Sequence, residues 1–362
     1  MKTGKTLVEL AQEIQRQAGA KADYVAPVRA LSVSANGRTT LDVEDHGQYD
    51  ITTTTHRQIS GHLGIPADYY DRLQAGAAEL RDPYHPSRSL FEATVNALLQ
   101  VRPSGERRMV RTLDGNARAF LSDRYRPLDH DEILERVLPA LGEFDLDWSE
   151  SSLEVTDQRL YMKLVNPRVH ADINLGDTVQ AGVLVTNSEI GMGSFSVSPL
   201  VFRLVCRNGM IRQDFARRKY HTGARLGGEG EMYEYYRDDT VRARNEATVL
   251  EMRDLIRGAL SDVVFGKIVD NLREAAAIRI AGDPIRAVEQ VQSRFSLTND
   301  EKGSVLRALV EGGDLSVWGL ANAVTRIAHD APTYDRSTDL EAMGGQLLAL
   351  PTVQVKALVA AA

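Results

Sequence analysis

The stretch Thr178–Arg207, TVQAGVLVTNSEIGMGSFSVSPLVFRLVCR, decides how the chain is read. Thr178–Thr186, Phe195–Ser198 and Val201–Arg207 are short runs rich in Val, Leu, Phe and Thr, side chains that suit a pleated surface. Between them, Gly191-Met192-Gly193-Ser194-Phe195-Ser196 lacks the third glycine of a dinucleotide-binding fingerprint. Strand-like residues follow it where that fingerprint needs a helix N-terminus. It therefore reads as a hairpin turn.

The same texture extends backwards through Leu160–Val165 and Leu153–Val155. A further hairpin, Arg108–Thr112 with Ala117–Leu121, turns at Asp114-Gly115-Asn116. The run from about 105 to 213 is thus strand-rich, with one helix at Asp131–Leu141. Upstream, Thr6–Gln17 has helical periodicity. Val25–Ser34 and Thr39–Val43 flank Asn36-Gly37, a pair that favours a type I′ hairpin. Thr55–Leu63 and Pro66–Gln74 form a short helix pair broken at Gly64, and Ser89–Leu99 is helical.

Downstream the pattern changes at Gly227-Gly228-Glu229-Gly230. Helical periodicity then marks Val241–Ala259, Val263–Ile280, Pro284–Ser293, Asn299–Glu311, Leu315–His329, Leu340–Ala349 and Val353–Ala360. The expected class is α+β: a strand-rich mixed core with a short helical hairpin, followed by an all-helical C-terminal region. The expected division is 1–226 and 231–362.

With 362 residues, 43% of them hydrophobic, the chain can bury a sizeable core. Aromatics are only 6%, so aliphatic packing dominates it. The net charge of −7 is unlike that of a simple nucleic-acid coating protein, although binding depends on the local patch. One cysteine, Cys206, excludes an intramolecular disulfide and a Cys/His zinc cluster. The first residues are polar and amphipathic, and no run of ~18 apolar residues occurs. The expectation is a cytoplasmic protein without membrane contact.

No motif supplies a reaction. Gly4-Lys5-Thr6 has no upstream glycine-rich turn and reads as a flexible terminus rather than a phosphate loop. Asp129-His130-Asp131-Glu132 groups carboxylates beside an imidazole, but an acidic first turn suits a helix N-terminus. His56–Leu73 matches a helix-turn-helix in outline. Its second helix offers Asp68 and Asp71, which repel phosphate, so a structural hairpin is the better reading. Catalytic residues, metal ligands and cofactors are accordingly set at none.

The basic segments carry the functional signal. Arg102–Arg126 contains Arg108, Arg111, Arg118, Arg124 and Arg126. Phe202–Arg225 contains Arg203, Arg207, Arg212, Arg217, Arg218, Lys219 and Tyr220, with Asp214 as its one acid. Guanidinium groups grip phosphates and rings stack on unpaired bases. If both segments share one exposed surface, these twelve residues form a nucleic-acid interface.

Thr186–Met210, with Asn187-Ser188, Gly191 and Arg203-Leu204-Val205-Cys206-Arg207-Asn208-Gly209, resembles the signature of the domain-of-unknown-function family DUF932. Arg111–Leu128 and Gln58–Leu73 are similar to it as well, and the resemblance spans roughly residues 50–330. Its members are often described as phage/plasmid-like. The resemblance implies a mobile-element setting, hence replication or recombination, and transfers no catalytic residue.

The leading expectation is a non-catalytic nucleic-acid binder, acting as a homo-oligomer on single-stranded DNA. One alternative is a protein-interaction or structural phage factor acting on host machinery. The other is an enzyme with a dispersed metal site built from Asp123, Asp129, His130, Asp172 and Asp177.

Overall fold

A computed structural model describes residues 1–125, 128–193, 195–215, 217–219 and 238–360. It is an α+β molecule built on two sheets. Helix α1 (Leu7–Ala20) starts at Thr6, whose hydroxyl accepts from the Glu9 N–H while the Glu9 carboxylate accepts from the Thr6 N–H. The expected flexible terminus is instead packed. Lys5 bridges to Leu153, and a Cβ on Gly4 would lie 2.2 Å from the Leu153 carbonyl oxygen.

The first sheet holds β1 (Ala22–Pro27), β2 (Leu31–Ser34), β3 (Thr40–Val43), β4 (Gly47–Ile51), β5 (Arg107–Leu113) and β6 (Asn116–Ser122), in the order β1-β5-β6-β4-β3-β2. Only β4–β6 is parallel. Helices α2 (Thr53–Leu63), α3 (Ala67–Ala75) and α4 (Leu90–Gln100) pack on this sheet. They bury Ile59, Tyr70, Phe91 and Val95 against Leu31, Leu41, Val110 and Phe120. Each such side chain contributes about 1.5–3 kcal/mol when taken from water. The α2–α3 pair is a structural hairpin: Gly64 caps α2 at φ 71°, and Tyr70 donates or accepts at His56 Nδ1, 2.9 Å away, inside the core.

The expected type I′ turn at Asn36-Gly37 is corrected. Only Gly37 has positive φ, whereas that turn needs both central residues there. Residues 35–39 form a longer connection between β2 and β3.

The second sheet holds β7 (Asp147–Val155), β8 (Leu160–Asn174), β9 (Asp177–Asn187), β10 (Phe195–Arg203) and β11 (Asn208–Ile211), in the order β11-β10-β9-β8-β7. A short strand, β12 (Arg217–Lys219), pairs with the start of β10. Side chains alternate across this sheet. Val183, Val185, Phe195 and Val197 pack with α1, with α5 (His130–Leu141) and with α6 (Asp238–Ala259). Val179, Ala181 and Val201 join a large core with the helices that follow. These are α7 (Asp262–Ala277), α8 (Pro284–Phe295), α9 (Asn299–Gly312), α10 (Val317–Arg326), α11 (Tyr334–Leu348) and α12 (Thr352–Ala360). Tyr161, Leu184, Leu200 and Ile211 pack against Tyr334 and Ala342 of α11.

Helix α11 rests on the sheet through glycine. A Cβ on Gly345 would fall 2.0 Å from the Ile211 carbonyl oxygen, so only glycine permits that approach. The glycine break at 227–230 lies outside the described residues. No helix among the described residues is long and apolar enough to cross a membrane.

Candidate functional site

At the end of β9 the chain runs into Asn187-Ser188-Glu189-Ile190, and all four residues are buried. Glu189 is the hub of a charged network between the two sheets. Arg118 Nη2 donates to its carboxylate at 2.5 Å, and the His130 backbone N–H does so at 2.6 Å. Arg111, fully buried on β5, donates to the Glu189 carbonyl (2.8 Å), to Asp23 (2.9 Å) and to Asp129 (2.8 Å). Lys21, just past α1, donates to Asp129 (2.6 Å) and Asp131 (2.9 Å). Asn187 donates to the Leu128 carbonyl at 2.8 Å.

Burial works against charge on Glu189, but His130, Arg118 and the His130 N–H outweigh it and hold its carboxyl down at about 2. Burial pushes the His130 ring itself down to about 4. At neutral pH it is therefore uncharged, and Arg118 and Lys21 supply the positive charge.

Carboxylate oxygens of Asp129, Asp131 and Glu189 lie within 4.8 Å of one another, a spacing a divalent ion could bridge. The Lys21 ammonium already sits 2.6, 2.9 and 3.9 Å from them, so the cation at this point is covalently attached. The five residues proposed for a dispersed metal site do not converge. Asp177 opens β9 and pairs with Arg203, whereas Asp129 and His130 lie at the far end of that strand, about 33 Å away at the rise of a strand. Asp172 accepts from the Thr178 hydroxyl.

Most of the predicted arginines are committed internally. Arg203 forms a two-pronged pair with Asp177 at 2.5 and 2.9 Å. Arg212, 1% exposed, does the same with Asp214 at 2.9 and 2.7 Å. Arg108 Nη2 lies 2.6 Å from His62 Nδ1 and 3.5 Å from Glu106. Arg207 is more open but reaches Glu150 at 2.5 Å. The expected single surface is thus corrected for Arg111, Arg118, Arg203 and Arg212, which a polyanion could reach only by breaking buried pairs. Arg124 is exposed on the turn after β6. Arg217, Arg218 and Lys219 form β12, while Arg126 and Tyr220 lie outside the described residues.

Sequence reasoning missed Glu189 and Lys21. The one available signal for Glu189 was its place in the Asn187-Ser188-Glu189 motif, since its partners Arg118 and His130 lie 71 and 59 positions away.

A polar cleft adjoins the network. Cross-strand register aligns Tyr161 of β8 with Thr186 of β9, Thr186 with Ser196 of β10, and Ser196 with Arg218 of β12. Thr338 and Asp339 of α11 face this row, and Arg159 closes one end around a cavity of about 200 Å³. The Thr186 and Ser196 hydroxyls are 2.7 Å apart, and Tyr161 donates to Asp335 at 2.6 Å. Arg159 also donates to the Met192 carbonyl, tying the glycine turn to the cleft wall. Burial raises the Asp339 carboxyl above its ordinary value, against the pull of Arg336 and Arg159.

These features define a two-sheet α+β protein whose motif loop joins the sheets through buried charge and borders a hydroxyl-lined cleft. The family model described as "Domain of unknown function (DUF932)" matches residues 117–342, from β6 to α11, and the chain belongs to that family. No curated protein and no solved structure shows significant similarity to it.

Proposed function

We propose that the chain binds single-stranded nucleic acid without catalysing a reaction, along the rim of the cleft between the second sheet and α11. The observation that supports this reading is the place of β12. Three consecutive cationic residues, Arg217-Arg218-Lys219, form a strand on β10 in register with the hydroxyl-bearing row of Ser196, Thr186 and Tyr161. Cationic residues along an extended strand match the repeat of a sugar–phosphate backbone. Asp335 and Asp339 repel phosphate, so the backbone runs along the rim while the cleft stays free of it. Such binding fits the replication or recombination of a phage or plasmid.

The footprint is narrower than twelve residues. Arg217, Arg218, Lys219 and the exposed Arg124 carry it, with Arg126 and Tyr220 beside them in sequence. The test is fluorescence anisotropy with a labelled single-stranded oligonucleotide at two salt concentrations. With about three phosphates neutralised, log K should fall with log[salt] at a slope of about −2. Reversing all three charges of β12 should abolish binding while the melting temperature holds. Absence of binding by the wild type at low salt would refute the reading.

A further inference from the structure

Among the described residues, the cleft between the second sheet and α11 is lined by two charged side chains, Arg159 and Asp339. The polar groups around them are already engaged. Asp335 accepts from the Tyr161 hydroxyl at 2.6 Å and from the Thr156 hydroxyl at 3.2 Å. Arg336 donates twice to Glu301 at 2.7 Å, and the Thr186 and Ser196 hydroxyls bond to each other. Arg159 gives the Met192 carbonyl an N–H, but a guanidinium carries five. The Asp339 carboxylate accepts no hydrogen bond among the described residues and meets Arg336 and Arg159 only through space.

Leu184, Ile211 and Ala342 give this cavity an apolar floor, and its volume of about 200 Å³ lies below that of sites for drug-sized ligands. A matching ligand is flat and apolar on its faces. It has acceptors at one edge for Arg159 and donors at the next for Asp339. Phosphate does not match, because the carboxylate repels it. Of the four DNA bases, only guanine carries O6 and N7 as an adjacent acceptor pair and N1–H with the N2 amine as an adjacent donor pair. Adenine and cytosine set their amine beside an acceptor nitrogen. Thymine sets its one N–H between two carbonyls, which a carboxylate repels. Resting on the reading that a single strand lies along the rim, we infer that the cleft takes one unstacked guanine of that strand, with O6 and N7 on Arg159 and N1–H and the N2 amine on Asp339.

The test is fluorescence anisotropy on the full-length protein with labelled strands of equal length at one low salt concentration. The strands are all-thymine, alternating dT and dG, and alternating dT and deoxyinosine, whose base is guanine without the N2 amine. The dG strand should bind about tenfold more tightly than the all-thymine strand, within the range of one bidentate base contact. The inosine strand should lose most of that gain. Asp339→Ala should bind the dG and inosine strands alike, whereas a merely structural role for Asp339 would weaken all three strands together. Equal binding of the dG and all-thymine strands, each still sensitive to salt, overturns the guanine pocket and leaves the rim reading standing. Binding of neither strand overturns both. A preference for dG over inosine that survives Asp339→Ala undiminished overturns the assigned carboxylate contact.

Discussion

Glu189 illustrates what a buried charge demands of its neighbours. It is 3% exposed, and its partners come from α5 and β6, with the Lys21 ammonium 3.9 Å away. Glu189→Gln should cost about 3–5 kcal/mol, because Arg118 would stay buried without its counter-charge. Urea unfolding measures this, and a loss under about 1 kcal/mol would mean that Arg118 finds another partner. Lys163 and Glu341 pose the same question more sharply. They pair at 2.6 Å with no exposure on either side, and burial lowers the lysine's pKa. Lys163→Met should destabilise by a similar amount, and Lys163→Met with Glu341→Leu should recover most of it, since well-packed apolar groups replace a buried pair at little net cost. A double variant no more stable than the single one would contradict that. At this scale the sequence was least legible. It displays every arginine but not the acid it meets, since Asp177 is 26 positions from Arg203 and Glu189 is 71 from Arg118. Asp214 was the readable exception, being two positions from Arg212.

Elements were far more legible. Caps and periodicity place the helices well, because Ser89, Ser261, Asp283, Thr298 and Ser316 each accept a backbone N–H at a helix start. Helix α11 begins six residues earlier than its apolar pattern indicates, at the cap Thr333. Strand β4 carried no signal, since Gly47–Ile51 has no buried side chain to create alternation. Strand β8 runs on through Pro167 because the register shifts between Asn166 and His170, and a bulge is where a residue without an N–H is tolerated. The contact between α11 and β11 gives a test. Gly345→Ala gains up to about 1 kcal/mol of helix propensity. The new methyl group would nevertheless strike the Ile211 carbonyl and force the helix off the sheet, at about 1–3 kcal/mol. The melting temperature should therefore fall, and a rise would show that α11 can shift freely.

Across the whole molecule, acid should loosen every layer. Burial holds His56 and His62 against the first sheet, His130 at the joint and His329 after α10 at about 4. The unfolded chain takes up those protons near pH ~6.5. The unfolded state thus binds more protons between about 6.5 and about 4, and stability falls as pH falls through that window. Glu189 adds a second decline between its unfolded value of about 4.3 and its folded value of about 2. Urea midpoints measured from neutral pH downwards should begin to drop below pH ~6.5, and a flat profile to pH ~4.5 would show that these rings are hydrated in the native state.

Lys21 and Asp129 have one more effect. Everything from β1 to Leu128 leaves the second-sheet body just after α1 and returns just before α5, and the 2.6 Å contact between these residues clasps the two ends like a neck. Doubling the length of a flexible loop adds only about 0.6 kcal/mol to its closure. With the neck fastened, extra segments grafted at the outer turns, such as residues 35–39, should leave the trunk undisturbed. Lineages can therefore lengthen those outer turns with little cost to the body that carries them.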